Sequence, residues 1–199
     1  MESTPTLPRR KGKTDETSRR DRNHSREALS LHAEIGIIGR VMAQINYLTV
    51  QDMMWLNLQL TKSTQKWDFA RLEEGVFYQY GHGKSTDVVA QAGRFITGFV
   101  KMAPFAKGNE ACAFAGLVAF LLMNGHDLHL SDRDALGWVR DVWEHPSDAS
   151  AKIEVKLEAH DLHTHHGTPD TRGILHEVVA RFPETLKTLV EEGRVATLI

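Results

Sequence analysis

Apolar residues recur along most of the chain at the three- and four-residue spacing of amphipathic helices. The spacing predicts helices over residues 27–45, 50–61, 70–80, 86–101, 132–144, 149–160, 171–182 and 183–193. Thr49 and Ser131 are predicted N-caps, because each precedes an apolar run and has an aspartate three residues later. Successive helices joined by short loops, with no alternating strands, predict an all-α fold.

A further predicted helix, over residues 109–124, is apolar nearly all the way round. A helix without a polar face is buried on all sides, so the bundle is expected to form around it. Asn124 and Gly125 mark its end. The apolar run is shorter than the ~20 residues that a membrane-spanning helix needs. The single cysteine, Cys112, lies in this helix and is expected to be a small buried hydrophobe rather than a nucleophile.

Lys107-Gly108-Asn109 lies where this helix begins. Free backbone N–H groups and the positive end of the helix dipole meet there, which suits a phosphate, and glycine allows a ligand to approach the backbone. By itself this signal is weak, because every helix has an N-terminus.

The wider context is more specific. The stretch from Met102 to Phe114 resembles the Fic/Doc signature, His-Pro-Phe-x-Asp-Gly-Asn-Lys-Arg followed by an Ala-rich helix. The flanks agree in order and spacing: Tyr47-Leu48-Thr49 is similar to the start of a Doc domain, and Leu122–Leu128 to the family's Leu-Asn-Gly-Tyr-x-Leu. The resemblance, to the Doc-like (death-on-curing) branch, covers about 45–144. It implies a Fic/Doc-like bundle with a helical C-terminal extension.

The resemblance also implies a chemistry. Family members transfer a nucleotidyl or phosphoryl group to a target hydroxyl, with a histidine base, an acidic Mg²⁺ ligand, a Gly-Asn phosphate cradle and a basic pair for the other phosphates. Doc-type members are toxins that phosphorylate an elongation factor and are restrained by an antitoxin. On this basis Lys107, Gly108 and Asn109 are the candidate cofactor-binding residues, and ATP or another nucleotide with Mg²⁺ is the candidate cofactor.

The residues that carry this chemistry are replaced. Ala103 stands at the histidine position, so base assistance of roughly 10²–10⁴-fold is lost. Lys107 stands at the Mg²⁺-ligand position, and Glu110 and Ala111 replace the basic pair. The first interpretation is therefore a non-catalytic protein that binds a protein partner, as a regulator or antitoxin-like component. The alternative is an altered transferase in which Lys107 holds a phosphate and His82, His126 or His129 supplies the base.

Charge distribution adds a third interpretation. The net charge of −2 predicts no general affinity for nucleic acid or membrane, and the single cysteine suits the cytoplasm. Residues 1–26, however, hold eight basic and four acidic residues and almost no apolar ones, which predicts a disordered basic tail. It could bind nucleic acid, although a solvated leader is the simpler interpretation. The predicted organisation is a tail over 1–26, a Fic/Doc-like domain over 27–146 and an extension over 147–199.

Two further motifs are ambiguous. Thr188–Gly193 matches the Ser/Thr-x-x-x-Glu-Gly inhibitory motif of some Fic proteins, but Ala111 removes the basic partner of its glutamate, and a helix that ends at Gly193 explains the match equally well. His160–His166 is dense in metal-ligand types, yet it lacks a helical i, i+4 pair and runs into a Gly-Thr-Pro-Asp loop, so a polar linker is the simpler interpretation.

Overall fold

The computed structural model describes residues 45–80, 87–161, 164–165, 168–194 and 196. The described helices are α1 Val50–Thr61, α2 Phe69–Phe77, α3 Val88–Met102, α4 Asn109–Met123, α5 Asp132–Glu144, α6 Ala149–Val155, α7 Thr171–Arg181 and α8 Pro183–Glu192, with a 3₁₀ turn at Pro146–Asp148. The described strands are β1 His126–Leu128, β2 Leu157–Ala159, β3 Thr164–His165 and β4 Thr168–Pro169. The protein is mostly helical, which confirms the predicted all-α fold class.

Helix α4 is the centre of the bundle. Every residue from Ala111 to Met123 is buried, and α1, α3, α7, α8 and β1 all pack against it. Small residues allow neighbouring helices to approach closely: a Cβ at Gly116 would lie 3.0 Å from the ring of Phe95 in α3. The prediction of a fully buried central helix is confirmed. Cys112 is buried within it, and burial raises the pKa of its thiol to about 12.

Local capping determines where several helices begin. Thr49 and Asp52 form a reciprocal capping box at α1, which spans the predicted residues. Ser131 accepts a hydrogen bond from the backbone N–H of Asp134 at the start of α5, as predicted. Helix α3 begins at Val88 rather than at residue 86, because Asp87 is its N-cap and accepts from the N–H of Ala90.

The prediction of a helix over 149–160 is wrong in its second half. Helix α6 ends at Val155, and the chain continues into β2, which pairs antiparallel with β1 so that Leu128 lies opposite Leu157. Strands were not predicted here because each is only three residues long, too short to show an alternating pattern. This small ribbon follows the C-terminal end of α4, whereas the loop between α3 and α4 lies at the other end of that helix.

The predicted tail over 1–26 and the predicted helix over 27–45 lie outside the described residues, except for Ile45, which is not helical. Within the described part of the chain, no helix combines the length and apolar character needed to cross a membrane.

Candidate functional site

The loop between α3 and α4 has a fixed conformation built by its own residues. Helix α3 ends at Met102, and its C-cap Ala103 adopts the left-handed conformation with φ 44°. The next residues pair with the segment after α1: the N–H of Asp68 donates to Pro104 O, and the N–H of Ala106 donates to Lys66 O, both at 2.9 Å. Phe105 is buried against Phe99 of α3, so the loop is held both by α3 and by the segment after α1.

Asn109 closes the loop on itself. Its side-chain carbonyl accepts from the N–H of Phe105 at 2.9 Å, and its amide donates to Phe105 O at 2.7 Å. Asn109 is 5% exposed. Both polar ends of the side chain are therefore engaged by the backbone of the loop, and the contribution of Asn109 to any ligand site is to hold the loop in place.

Gly108 begins α4 in a conformation that favours glycine. Its φ is 84°, and a Cβ there would lie 2.9 Å from Thr61 Cγ2 and 3.0 Å from Asn57 Nδ2. Asn57 also donates to the backbone carbonyl of Lys107 at 2.9 Å. The start of α4 is thus packed against α1, and the positive φ and the close approach both require glycine at this position.

A cavity of about 700 Å³ lies beside this loop. It runs along one face of α3, where Arg94, Thr97, Gly98 and Lys101 follow one another at helical spacing. Ala103, Asn109 and Glu110 line its end at the loop. The remaining described lining residues come from α3, from the end of α2, from α5 and the turn after it, and from the C-terminal segment: Val100, Tyr78, Trp143, Pro146, Arg194 and Ala196.

The charges around the cavity are mainly basic. Arg94, Lys101 and Arg194 line it, against one carboxylate, that of Glu110. The Glu110 carboxylate is already engaged: Oε2 accepts from the backbone N–H of Arg194 at 3.1 Å, and Oε1 lies 3.7 Å from Arg194 Nε. Glu110 therefore lies beside the start of α4, as its first-turn position suggested, and its charge is offset by a residue distant in sequence.

The segment after α8 runs across the loop. The N–H of Ala196 donates to Ala106 O at 3.1 Å, and a Cβ at Gly193 would overlap the carboxylate of Glu110. Glu192, the glutamate of the Thr188–Gly193 motif, does not reach α4; its carboxylate pairs with Arg140 of α5 at 2.6 Å. Arg194, which follows the motif, binds the carboxylate of Glu110 in α4 instead.

The predicted site residues are therefore divided. Ala103 and Asn109 both line the cavity, whereas Lys107 and Gly108 are not among its described lining, and the Lys107 carbonyl and Gly108 contact α1. His126 and His129 follow the far end of α4, a helix of 15 residues and so about 22 Å long, which places them away from the loop. His82 lies outside the described residues.

Part of the predicted histidine cluster, Leu162, His163 and His166, also lies outside the described residues. Among the residues that are described, no group of three or more His, Cys, Asp or Glu side chains could hold a metal ion.

Four cavity-lining residues were not predicted from the sequence: Arg94, Lys101, Trp143 and Arg194. The first two lie on the polar face of an amphipathic helix, a pattern that ordinarily indicates solvent exposure. Trp143 and Arg194 lie on elements distant in sequence. The helical spacing of residues 94, 97, 98 and 101 can be recognised in the sequence. The sequence does not show whether that helix face lines a cavity or is exposed to solvent.

Comparisons with protein-family models, with curated proteins and with solved structures found no match to this chain. The fold and the site therefore define the class of this protein only broadly. It is mostly helical, with a buried central helix and a basic cavity at the start of that helix.

Proposed function

We propose that this chain is a Fic/Doc-like protein that acts by binding and not by catalysis, and that the cavity at the loop is its ligand site. The observation that carries the proposal is the composition of the cavity beside Ala103. A methyl group stands where the family has its base, and the described lining contains no histidine, cysteine or aspartate. Three basic side chains remain, so the cavity suits binding of an anion better than proton transfer.

A nucleotide is the first ligand to test. The resemblance of Met102–Phe114 to the family signature supports it, as do the basic residues and the aromatic side chains of Tyr78 and Trp143 along the cavity. Polar groups among largely apolar side chains are typical of small-molecule sites, and about 700 Å³ falls in their usual range of roughly 300–1,000 Å³.

The test is calorimetric titration of ATP and GTP, with and without Mg²⁺, into the full chain. Saturable binding is expected, weakened about tenfold or more by Lys101→Gln. Lys187→Gln is the matched control, because Lys187 is an exposed lysine of α8 outside the cavity lining. Asn109→Ala is unsuitable as a binding probe, because Asn109 holds the loop. No binding up to millimolar nucleotide would overturn the nucleotide proposal.

Catalysis is tested separately with ATP labelled on the α- or γ-phosphate and a mixture of candidate protein acceptors. No transfer of label above a heat-treated control is expected. Transfer that disappears in Lys101→Gln or Lys107→Ala, but not in Lys187→Gln, would instead support the altered transferase.

A protein partner is part of the proposal. Leu58, Trp67 and Phe69 are large apolar side chains that are 39–57% exposed, and the rings of Trp67 and Phe69 are 6.0 Å apart. They lie next to the segment that pairs with the loop. A partner that binds the chain should be retained less well by Phe69→Ser than by Val155→Ser, since Val155 is exposed on α6. Equal retention by the two variants would place the partner surface elsewhere.

A further inference from the structure

The cavity has basic residues at two separate positions along α3. Arg94 and Lys101 are seven residues apart on one helical face, and a rise of 1.5 Å per residue separates their backbone positions by about 10 Å. Lys101 lies near the loop and the start of α4, whereas Arg94 lies two turns further away. The backbone separation is larger than a single carboxylate or phosphate group, so an elongated ligand could be bound at both positions.

Arg94 has an unused hydrogen-bond donor. Its Nε is buried and has no hydrogen-bond partner in the described part of the chain, and its Nη2 donates to Tyr80 O at a long 3.3 Å. A guanidinium presents five N–H donors in a fixed planar arrangement that matches an oxyanion, and a buried donor without an acceptor is unfavourable. An oxyanion bound at the guanidinium of Arg94 would supply the missing acceptor after a small reorientation of the side chain, since Nε is buried in the present conformation.

The α3 residues that line the cavity between these two positions are uncharged. They are Thr97, Gly98 and Val100, and the Thr97 hydroxyl is already engaged, because it donates to Gly93 O at 2.9 Å. Trp143 and Pro146 line the cavity from α5 and the turn after it. The Trp143 ring is fixed, because its Nε1 donates to Ile96 O at 3.3 Å. At the loop end, the carboxylate of Glu110 is paired with Arg194, whose side chain is itself exposed, and Lys101 is a second exposed cation there.

We propose that the cavity takes an elongated ligand with an oxyanion at each end and an apolar body between them, with Arg94 binding one oxyanion and Lys101 the other. The proposal deepens the proposed function and rests on it, because it assumes that the cavity is a ligand site. It assigns Arg94 a binding role that the resemblance to the Fic/Doc signature does not contain, since Arg94 lies outside Met102–Phe114.

The probe is sebacate, a linear dicarboxylate whose extended length is close to the separation of the two basic positions. Decanoate is the matched ligand, with the same chain and one carboxylate. Calorimetry on the full chain should show sebacate binding at least about tenfold more tightly than decanoate. The corresponding linear bisphosphate, 1,8-octanediol bisphosphate, then shows whether phosphate is preferred to carboxylate at the two ends.

Arg94→Gln and Lys101→Gln should each reduce sebacate affinity to about that of decanoate, because each leaves one basic position. Arg133→Gln, an exposed arginine of α5 outside the cavity lining, should leave both affinities unchanged. Arg94→Lys tests the same point without loss of charge, because it removes only the planar guanidinium. This variant should have a lower affinity for sebacate, while its melting temperature stays within a few degrees of that of the parent protein.

Equal affinities for the two ligands, or sebacate binding that is insensitive to both Arg94→Lys and Arg94→Gln, would overturn the inference. If ATP binds and sebacate does not, the proposal of a ligand with an oxyanion at each end is wrong, and the cavity is still supported as a ligand site. If neither the nucleotides nor the linear anions bind, both proposals fail.

Discussion

Two non-glycine residues, Lys62 and Ala103, have the positive φ of the left-handed conformation within the described part of the chain. Each ends a helix: Lys62 follows α1 with φ 55°, and Ala103 follows α3 with φ 44°. Their backbone N–H groups donate to carbonyls of the last helical turn. The left-handed conformation costs an L-residue roughly 1–2 kcal/mol, so both positions carry local strain.

Lys62→Gly should stabilise the protein. Glycine adopts φ 55° without the Cβ clash, and part of that gain is offset by the greater entropy of glycine in the unfolded chain, which leaves a net stabilisation of about 0.5–1 kcal/mol. Urea unfolding measures the change. Lys62→Ala is the control and should change stability by less than about 0.5 kcal/mol, because it keeps the Cβ. Destabilisation by the glycine variant would contradict the argument.

Asn109→Ala should destabilise the fold. The change leaves the backbone N–H and carbonyl of buried Phe105 without their partners, at a cost of about 2–4 kcal/mol for the pair. Chemical denaturation is the measurement. Lys107→Ala in the same loop is the comparison and is expected to change stability by no more than about 0.5 kcal/mol. Similar effects of the two substitutions would show that Asn109 does not hold the loop.

At the scale of elements, helix α8 is capped by a residue of another helix. It begins at Pro183 and has no side-chain cap of its own. Asp132, the first residue of α5, accepts from the N–H groups of Glu184 and Thr185, both at 3.0 Å, and its backbone carbonyl accepts from the Thr185 hydroxyl. The first turns of two helices are thereby joined at one carboxylate, which suits the positive dipole ends of both.

Asp132→Ala should destabilise the protein by about 1–2 kcal/mol, the upper part of the usual range for a helix cap, because two N–H groups of α8 lose their acceptor. Thermal unfolding gives the loss. Asp134→Ala is the control within the same turn. The backbone N–H of residue 134 still donates to the Ser131 hydroxyl in this variant, so a smaller loss of stability is expected. A larger loss at Asp134 would contradict this interpretation of α8.

The same carboxylate predicts an effect of pH. Burial opposes ionisation of Asp132, but the backbone N–H groups of Thr185 and Glu184 favour it more strongly, so its pKa lies below the ordinary value. A group with a lowered folded-state pKa stabilises the protein above its unfolded pKa of about 3.9, and this contribution is lost as the pH falls through the folded pKa. The stability difference between the parent protein and Asp132→Asn should therefore be constant from neutral pH to about pH 5 and narrow below about pH 4. A difference that widened on acidification would contradict the assignment.

At the scale of the whole molecule, close approaches between helices determine which glycines tolerate a side chain. In α3, a Cβ at Gly93 would lie 3.0 Å from the backbone nitrogen of Ser150 and would overlap its Oγ, so α6 would have to move. In α5, nothing lies within 4 Å of a Cβ at Gly137. Both are helical glycines, and the sequence does not distinguish them.

Gly93→Ala and Gly137→Ala should therefore have opposite effects. The change at Gly137 should stabilise by about 0.5–1 kcal/mol through helix propensity alone. The change at Gly93 should destabilise by about 1–3 kcal/mol, because overpacking against a backbone outweighs the same propensity gain. Calorimetric melting of the two variants side by side checks the signs. Stabilisation by Gly93→Ala as well would show that α3 and α6 can separate without cost, and destabilisation by Gly137→Ala would contradict the propensity argument.

The sequence by itself determined the number and order of the described helices and the burial of α4, but not the end of α6 or every other helix boundary. Apolar spacing, the caps at Thr49 and Ser131, and the absence of a polar face are local features, and helices form through local hydrogen bonds. The same local information located the loop at Met102–Asn109. The Fic/Doc resemblance, the family chemistry and the three-part domain division remain predictions.

Only the tertiary structure decided the ribbon of β1 and β2, the cap that Asp132 gives to α8, and the cavity with Arg94, Lys101 and Arg194 around it. Each depends on contacts between residues far apart in the chain: Leu128 with Leu157, Asp132 with Thr185, and Glu110 with Arg194. Helical periodicity reports which face of an element is apolar. It does not report which polar face another part of the chain will enclose, because that depends on how the helices pack together.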